Sequence, residues 1–221
     1  MKKQFIKDIY YQTIGKLSLV SFYWSKIASK KYDGACLNIG CGSNYIQGMV
    51  NIDANIFRKK DLWLDITLGL PFADKSIRGI YTSHMLEHLR VENLQKFLGE
   101  CFRVLLPGGV MRISVPSLEY AIKAYSDKDL TRLGEWPHKF ESVGGRFNNF
   151  MLCDNQHFVM LDFGFLKELL IKAGFKHVEK VNPSQSNLFS QEELKREMSE
   201  NRKESSLYVE AYKTKLSKNE E

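Results

Sequence analysis

The sequence predicts an α/β protein, a doubly wound and mostly parallel sheet of seven strands behind an amphipathic helical extension. Short apolar runs alternate with amphipathic stretches of helical spacing, which is typical of parallel sheets covered by helices. A glycine-rich turn follows the first apolar run, and the next two runs each end on an acid, as at a ligand-binding edge. The 221 residues, 43% of them hydrophobic, suffice for one domain with a substantial core.

Residues 1–32 form the predicted N-terminal extension. Apolar residues recur at roughly helical spacing between residues 4 and 30, among several lysines. Two interpretations remain open: a helix that packs on the domain as a lid or edge cover, and an interfacial helix that binds anionic lipid. The main domain is expected at 33–213, with a charged tail at 214–221.

The first predicted unit is a strand, a glycine turn and a second strand. Ala35 to Ile39 suits a buried parallel strand, Gly40-Cys41-Gly42-Ser43-Asn44 interrupts it, and Val50 to Asp53 is the next strand. Glycines allow a ligand to approach the backbone closely, and Asp53 is placed to accept hydrogen bonds from the ribose hydroxyls of an adenosine. An ordinary glycine turn is the alternative, because G-x-G alone is a weak signal.

The spacing of this unit argues against an NAD-dependent dehydrogenase. Tyr45 stands where the third glycine of a dinucleotide fingerprint would be, and Asp53 follows Gly42 by eleven residues instead of about twenty. So short a connection leaves room for a first helix of about one turn.

The third and fourth strands are predicted at 62–65 and 77–82, and Asp65 at the first of these could accept from an adenine amino group. Ser83-His84-Met85-Leu86-Glu87-His88-Leu89 follows, with two histidines four residues apart. On a helix they would share a face, so a metal site is an alternative. We expect no metal, because the H-E-x-x-H order is absent and no further ligand group is evident. Hydrogen-bonding residues at the ligand edge are the preferred interpretation.

The remaining elements continue the alternation. Helices are predicted at 93–106, at 163–173 with Gly174 after its end, and from a Ser190-x-x-Glu193 capping box; strands are predicted at 110–116, 176–181 and 207–212. Residues 117–160 form a long insertion without strong periodicity, and such segments are more often functional than idle. Its aromatic residues with Arg146, His138 and His157 would suit a sugar or phosphosugar, although local packing is the simpler reading for each ring.

Composition restricts the class of protein only mildly. A net charge of +6 permits an anionic partner, but 32 basic against 26 acidic residues equally describes a solvated surface. Four widely spaced cysteines without C-x-x-C indicate neither a zinc site nor a disulfide scaffold, and they favour a reducing cytoplasm. We see no membrane-spanning run and no signal peptide.

Several motifs in order resemble the class I S-adenosylmethionine-dependent methyltransferases. They are L-N-I-G-C-G-S, V-N-I-D, L-P-F-A-D-K-S-I, Y-T-S-H-M-L-E-H-L and F-R-V-L-L-P-G-G-V, which span 36–115, and the resemblance resumes at 163–181. More narrowly, the sequence is similar to a bacterial type 11-like subgroup with a shortened first helix, often associated with surface-polysaccharide biosynthesis.

The resemblance implies S-adenosylmethionine as cofactor and assigns residues to it by position. The glycines would pass under the methionine part, Asp53 would hold the ribose, and two residues would flank the adenine. The implied cofactor-binding set is Asn38, Gly40, Cys41, Gly42, Asp53, Asp65, Ile66, Ser83 and His84. Asn38 and Tyr81 stand where many members carry acids, which puts the usual hold on the methionine ammonium in doubt.

The resemblance also implies methyl transfer, and we expect O-methylation of a small-molecule or glycan acceptor by in-line displacement. A hydroxyl acceptor benefits from a base, and the candidates are His157, preferred for its polar and apolar flanks, then His84, His88 and His138. No Asn/Asp-Pro-Pro-aromatic motif follows the fourth strand, so base amino groups of nucleic acids are not expected targets. A nucleic-acid methyltransferase and a non-catalytic cofactor-binding protein remain the alternatives.

Cytoplasmic location, with contact to the inner membrane face through 4–30, is expected; the sequence gives no oligomeric state.

Overall fold

A computed structural model describes residues 22–23, 29–199 and 202–214 of the chain. The predicted N-terminal helix therefore lies largely outside the described residues, as do residues 215–221 of the tail. Phe22 and Tyr23 are helical, and Phe22 packs against the main core. No helix within the described ranges is long and apolar enough to cross a membrane.

The described residues form a seven-stranded sheet, which confirms the predicted fold class. The strands are β1 (Cys36–Ile39), β2 (Val50–Asp53), β3 (Leu62–Trp63), β4 (Ile77–Ser83), β5 (Leu105–Pro116), β6 (His177–Lys180) and β7 (Ser206–Tyr212). Their order across the sheet is β3-β2-β1-β4-β5-β7-β6. The first five are mutually parallel, and β7 runs antiparallel to both of its neighbours.

Alternation along the strands sends side chains to two cores on opposite faces of the sheet. Leu37 and Ile39 of β1 join the larger core with the apolar stripes of helices α1 (Val91–Val104) and α5 (Phe163–Lys172). Cys36 instead joins a smaller core under the segment that contains Phe189 and Leu194. Gly174, at φ +114° after α5, is confirmed as the residue beyond the helix end.

The 117–160 insertion is mostly helical, contrary to its weak periodicity. It contains α2 (Leu118–Ser126), α3 (Leu130–Leu133) and α4 (Val143–Leu152). Each helix has an N-cap residue whose side chain accepts a hydrogen bond from a backbone N–H in the first turn. These residues are Ser117, Asp129 and Ser142. The helices share a separate small core, so their apolar residues are divided among short elements and show no long period.

Three other predicted elements differ from the structure. The connection from Gly40 to Met49 contains turns but no helix, so the predicted single-turn helix is wrong. Strand β3 ends at Trp63, two residues before Asp65. The capping box exists, since Glu193 Oε2 accepts from Ser190 N at 2.7 Å, but it opens a turn and the 3₁₀ helix Lys195–Met198 rather than an α-helix.

A buried ion network ties this last segment to the sheet. Arg112 of β5 is fully buried and donates to Glu197 Oε2 at 2.5 Å and to Glu210 Oε1 at 3.3 Å. It also donates to the carbonyls of Asn182 and Gln185 at 2.9 and 2.6 Å. One guanidinium thus holds the 182–198 segment against β5 and β7.

Candidate active site

A cavity of about 710 Å³ opens where the parallel strands end. This is the edge at which open α/β sheets bind ligands. The residues that line it come from the β1–β2 connection and the region of β2–β3 on one side, and from 84–93 and 155–158 on the other. They are Gly40, Gly42, Asp53, Ala54, Asn55, Arg58, Leu64, Asp65, Ile66, Thr67, His84, Met85, His88, Leu89, Arg90, Asn93, Asn155, Gln156 and Phe158.

The two glycines of the turn have different reasons to lack a side chain. Both have positive φ, +68° at Gly40 and +53° at Gly42. A Cβ on Gly40 would lie 2.3 Å from Met85 Cγ, whereas one on Gly42 would meet no protein atom within 4 Å. Gly40 is therefore required by packing, and Gly42 leaves open space at the wall of the cavity.

Asp53 lies at the end of β2 and both of its carboxylate oxygens accept backbone hydrogen bonds. Oδ2 accepts from Gly42 N and Oδ1 from Asn55 N, each at 2.7 Å. Each oxygen has a second lone pair, so the carboxylate retains acceptor capacity toward the cavity that it lines. This carboxylate positions the glycine turn and can also bind a pair of hydroxyls.

The segment after β3 lines the cavity with two apolar side chains and one carboxylate. Leu64 and Ile66 line the cavity with Asp65, which begins the 3₁₀ helix Ile66–Leu68 and accepts from Thr67 N at 3.0 Å. Apolar side chains on the faces of a flat ring and a carboxylate at its edge would suit an adenine.

Two of the four candidate histidines, His84 and His88, line the opposite wall, and His157 packs against His88 without lining the cavity itself. His84, at φ +52°, is not on a helix with His88; its Nε2 lies 2.8 Å from Ser206 Oγ. The His88 and His157 rings meet edge to face with centroids 4.9 Å apart. His138 does not line the cavity: it is exposed and lies 3.4 Å from Asp154.

Glu87, which stands between His84 and His88 in the discounted metal motif and outside the predicted site residues, is a further functional candidate. Its side chain is 2% exposed, and neither carboxylate oxygen has a hydrogen-bond partner. Burial raises the pKa of this carboxyl to about 8. Burial, followed by the nearby His88, lowers the pKa of His157 to about 4, so His157 is neutral at pH 7. Burial next to Arg202 also holds the pKa of His84 well below its usual value.

Three residues of the predicted cofactor set lie behind the cavity wall. Asn38 is buried and donates to Asn44 O at 2.7 Å and to Asn51 Oδ1 at 2.9 Å, which fixes the glycine loop. Cys41 is buried beside the Lys59 carbonyl, and burial raises the pKa of its thiol to about 12. Ser83 Oγ lies 2.9 Å from both Ser114 Oγ and Arg202 Nη1.

Most of the insertion does not reach the cavity. Arg146, expected as a phosphate ligand, donates to the carbonyls of Phe140 and Leu130 and pairs with Glu135 at 2.9 Å. The aromatic residues of α2 and α4 pack on one another. Only Asn155, Gln156 and Phe158 of the insertion line the cavity, and Arg58 and Arg90 are the guanidinium groups there.

Comparison with known proteins shows a match to one domain family and similarity to solved structures. Residues 41–113 match a family described as a methyltransferase domain. An S-adenosylmethionine-dependent methyltransferase of Archaeoglobus fulgidus is 18% identical, with a TM-score of 0.52, over 92% of this chain and 97% of that one. A Thermotoga maritima methyltransferase, described as a possible histamine N-methyltransferase, is 13% identical, with a TM-score of 0.54, over 94% and 99%. No curated protein matches the chain.

Fold and site together define a class I S-adenosylmethionine-dependent methyltransferase, as the motifs implied. Within the chain, residues 41–113, which include Gly42 of the glycine turn, Asp53 and His84, match the methyltransferase-domain family. Its cofactor is S-adenosylmethionine, which supplies an electrophilic methyl group on a sulfonium. The cavity suits it, since open space at Gly42, acceptor capacity at Asp53 and the Leu64–Ile66 wall face one volume. Asp53 would hold the ribose, and Leu64, Asp65 and Ile66 the adenine.

Proposed function

We propose that this enzyme methylates a hydroxyl group of a small-molecule or glycan acceptor. The observation that carries the proposal is the His88–His157 pair beside the buried Glu87: His88 lines the cavity, and His157 and Glu87 lie next to it. A hydroxyl must lose its proton as the new O–C bond forms, and a neutral imidazole can accept it. His157, neutral at pH 7, is our first candidate for this step.

The lining of this wall supports an acceptor rich in hydroxyls. Asn93, Asn155 and Gln156 carry amides that both donate and accept, and Arg90 lies 4.6 Å over the ring of Phe158. Amides beside an exposed ring suit a sugar, and Arg90 could pair with a phosphate or carboxylate on it. We therefore propose a saccharide or saccharide precursor of surface-polysaccharide biosynthesis as the acceptor class.

All four cysteines are free and buried, which supports action in a reducing compartment, and we propose the cytoplasm. Contact with the inner membrane face through residues 4–30 belongs to the same proposal and is tested separately below.

Surface glycan from cells with and without the protein would test the acceptor class. Acid hydrolysis preserves methyl ethers, so mass spectrometry should detect an O-methyl sugar only where the active protein is present. Cells that carry the Asp53→Ala variant provide the control, since they contain the chain with a damaged cofactor site. Purified enzyme should also release S-adenosylhomocysteine with saccharide acceptors. Release with RNA or DNA instead would establish the nucleic-acid alternative, and binding without release in all cases would establish a non-catalytic protein.

A further inference from the structure

Glu87, His88 and His157 bring three potential metal-ligand atoms within 4.8 Å of one another. Glu87 and His88 are neighbours on the 3₁₀ helix Leu86–His88, and His157 comes from the end of the insertion. Phe158 N donates to Glu87 O at 2.8 Å, so a backbone hydrogen bond holds the two segments together. His157 thus supplies, from far along the chain, a ligand group to join the adjacent Glu87 and His88, whereas His84 of the H-x-x-x-H sequence is not part of the cluster.

Among the described residues, none forms a hydrogen bond with the side-chain carboxylate of Glu87. It is 2% exposed, and neither oxygen accepts a hydrogen bond. The nearest ring nitrogen, His84 Nδ1, is 3.7 Å from Oε1, which is too far for a hydrogen bond. Ionised carboxylates in protein interiors are ordinarily paired or bound to a metal, and the carboxyl of Glu87, which has neither, would give up its proton to bind a cation.

Both histidines are fixed in the tautomer that a metal requires. His88 Nδ1 lies 2.9 Å from the Gln156 carbonyl, and His157 Nδ1 lies 2.8 Å from the Met151 carbonyl. A carbonyl can only accept, so each Nδ1 carries the proton and each Nε2 carries the lone pair. Metal-ligating histidines typically donate their other N–H to a carbonyl in this way.

We propose that Glu87, His88 and His157 bind a divalent transition-metal ion next to the cofactor cavity, which His88 lines. Two imidazoles and one carboxylate favour a first-row transition metal such as zinc over magnesium or calcium. Bonds of about 2.1 Å at a tetrahedral angle would separate ligand atoms by about 3.4 Å, so the side chains must close from their present spacing. Three protein ligands leave a position for a water or a substrate oxygen.

With the ion bound, His157 Nε2 is a metal ligand and no longer a base, so the ion takes over its role toward the acceptor hydroxyl; this part rests on the proposed O-methylation. A hydroxyl bound to the ion becomes more acidic, so its O–H bond breaks and the proton passes to water. The oxygen lone pair then forms the O–C bond while the methyl–sulfur bond breaks, with its electron pair remaining on sulfur. Binding of the ion itself does not depend on the acceptor.

Cobalt binding to the full-length protein, freed of any affinity tag and stripped with EDTA, tests the site directly. Co²⁺ should bind at one equivalent per chain with visible d–d absorption, and Zn²⁺ should displace it. Glu87→Gln and His157→Ala should weaken binding at least ~10-fold, as loss of even a supporting group commonly does. His177→Ala is the matched control, because His177 is an exposed histidine on β6 and should leave the affinity unchanged.

Thermal melting separates loss of the site from loss of the fold. Zn²⁺ should raise the Tm of the wild-type protein but not that of Glu87→Gln, whose own Tm in EDTA should equal or exceed that of the wild type. Equal metal affinity of the wild type, Glu87→Gln and His157→Ala would overturn the proposal, as would a preference for Mg²⁺ over Co²⁺. One-to-one binding without transfer to any hydroxyl would instead leave the metal site established and remove the proposed function.

Discussion

At the scale of single residues, Asp53 combines two tasks in one carboxylate. It accepts from Gly42 N and Asn55 N and so shapes the turn, and it faces the cavity with its remaining lone pairs. A side chain that both orders the loop and binds the ligand makes the site rigid before the cofactor arrives.

Asp53→Ala should weaken S-adenosylmethionine binding by at least about 1.5–3 kcal/mol, the usual value for hydrogen bonds to a charged group. Calorimetric titration measures it. Asp61→Ala is the control, because Asp61 also accepts from a neighbouring backbone N–H, that of Asn51 at 2.7 Å, but does not line the cavity. Unchanged affinity in Asp53→Ala, or an equal loss in both variants, would remove Asp53 from cofactor binding.

Gly42→Val should abolish cofactor binding while the protein stays folded, because the side chain would enter the open space at the cavity wall. Gly48→Val is a matched control: Gly48 has φ +88° and equally open space, but it does not line the cavity. Circular dichroism and calorimetry on both variants separate backbone strain from ligand exclusion. If both variants bind alike, the turn has only a structural role.

His157→Ala should lower turnover by the ~10²–10⁴-fold typical of a lost general acid–base group, with cofactor affinity nearly unchanged. The expectation holds whether His157 takes the proton itself or binds an ion that acidifies the hydroxyl. Steady-state release of S-adenosylhomocysteine, beside calorimetry, measures the two effects. Turnover within a few-fold of wild type would shift attention to His84 and His88.

The sequence was informative for residues whose role follows from strand position. Asp53 could be placed because a strand end in a parallel sheet fixes where its side chain lies. Asn38 and Arg146 could not, since their partners, Asn51 and Glu135, are set by the folded loops rather than by local pattern. Glu87 gave a local signal in H-x-x-x-H, but its burial became visible only in the fold.

At the scale of elements, the 182–198 segment depends on the Arg112 network. Arg112→Met should lower the free energy of unfolding by about 3–5 kcal/mol, because it leaves Glu197 and Glu210 buried without their partner. Denaturant titration measures this. Lys172→Ala, which breaks an exposed i,i+4 pair with Glu168, should change stability by less than about 0.5 kcal/mol. Adding Glu197→Gln and Glu210→Gln to Arg112→Met should recover part of the loss, and an Arg112→Met effect as small as the control would contradict the prediction.

The ends of the two helices that bury one face against the main core agree with those predicted from the hydrophobic pattern. Helices α1 and α5 were predicted within two residues of each end, because their apolar stripes face a continuous core. The β1–β2 connection was predicted as a short helix, but side-chain hydrogen bonds from Asn38 and Asn51 hold it as turns. Such bonds compete with helix formation and leave little trace in periodicity.

At the scale of the whole molecule, deletion of residues 4–30 should leave cofactor binding intact, because the cavity is built from residues 40–158. Stability should fall, since Phe22 packs against the main core. Calorimetry and thermal melting test both statements, and loss of binding in the folded deletion variant would contradict the first.

Vesicle flotation addresses the membrane interpretation of the same segment. If the full-length protein does not bind anionic vesicles at low salt, the interpretation that remains is a helix packed on the domain. If it binds and the deletion variant does not, the membrane contact is established.

The strand order also sets the sequence of events as the chain is made. β5 leaves the ribosome with its outer edge unpaired, and β6, which follows, cannot close that edge because its only neighbour in the sheet is β7. The nascent chain therefore carries the open hydrogen-bonding groups of Val110–Pro116 until β7 has been synthesised.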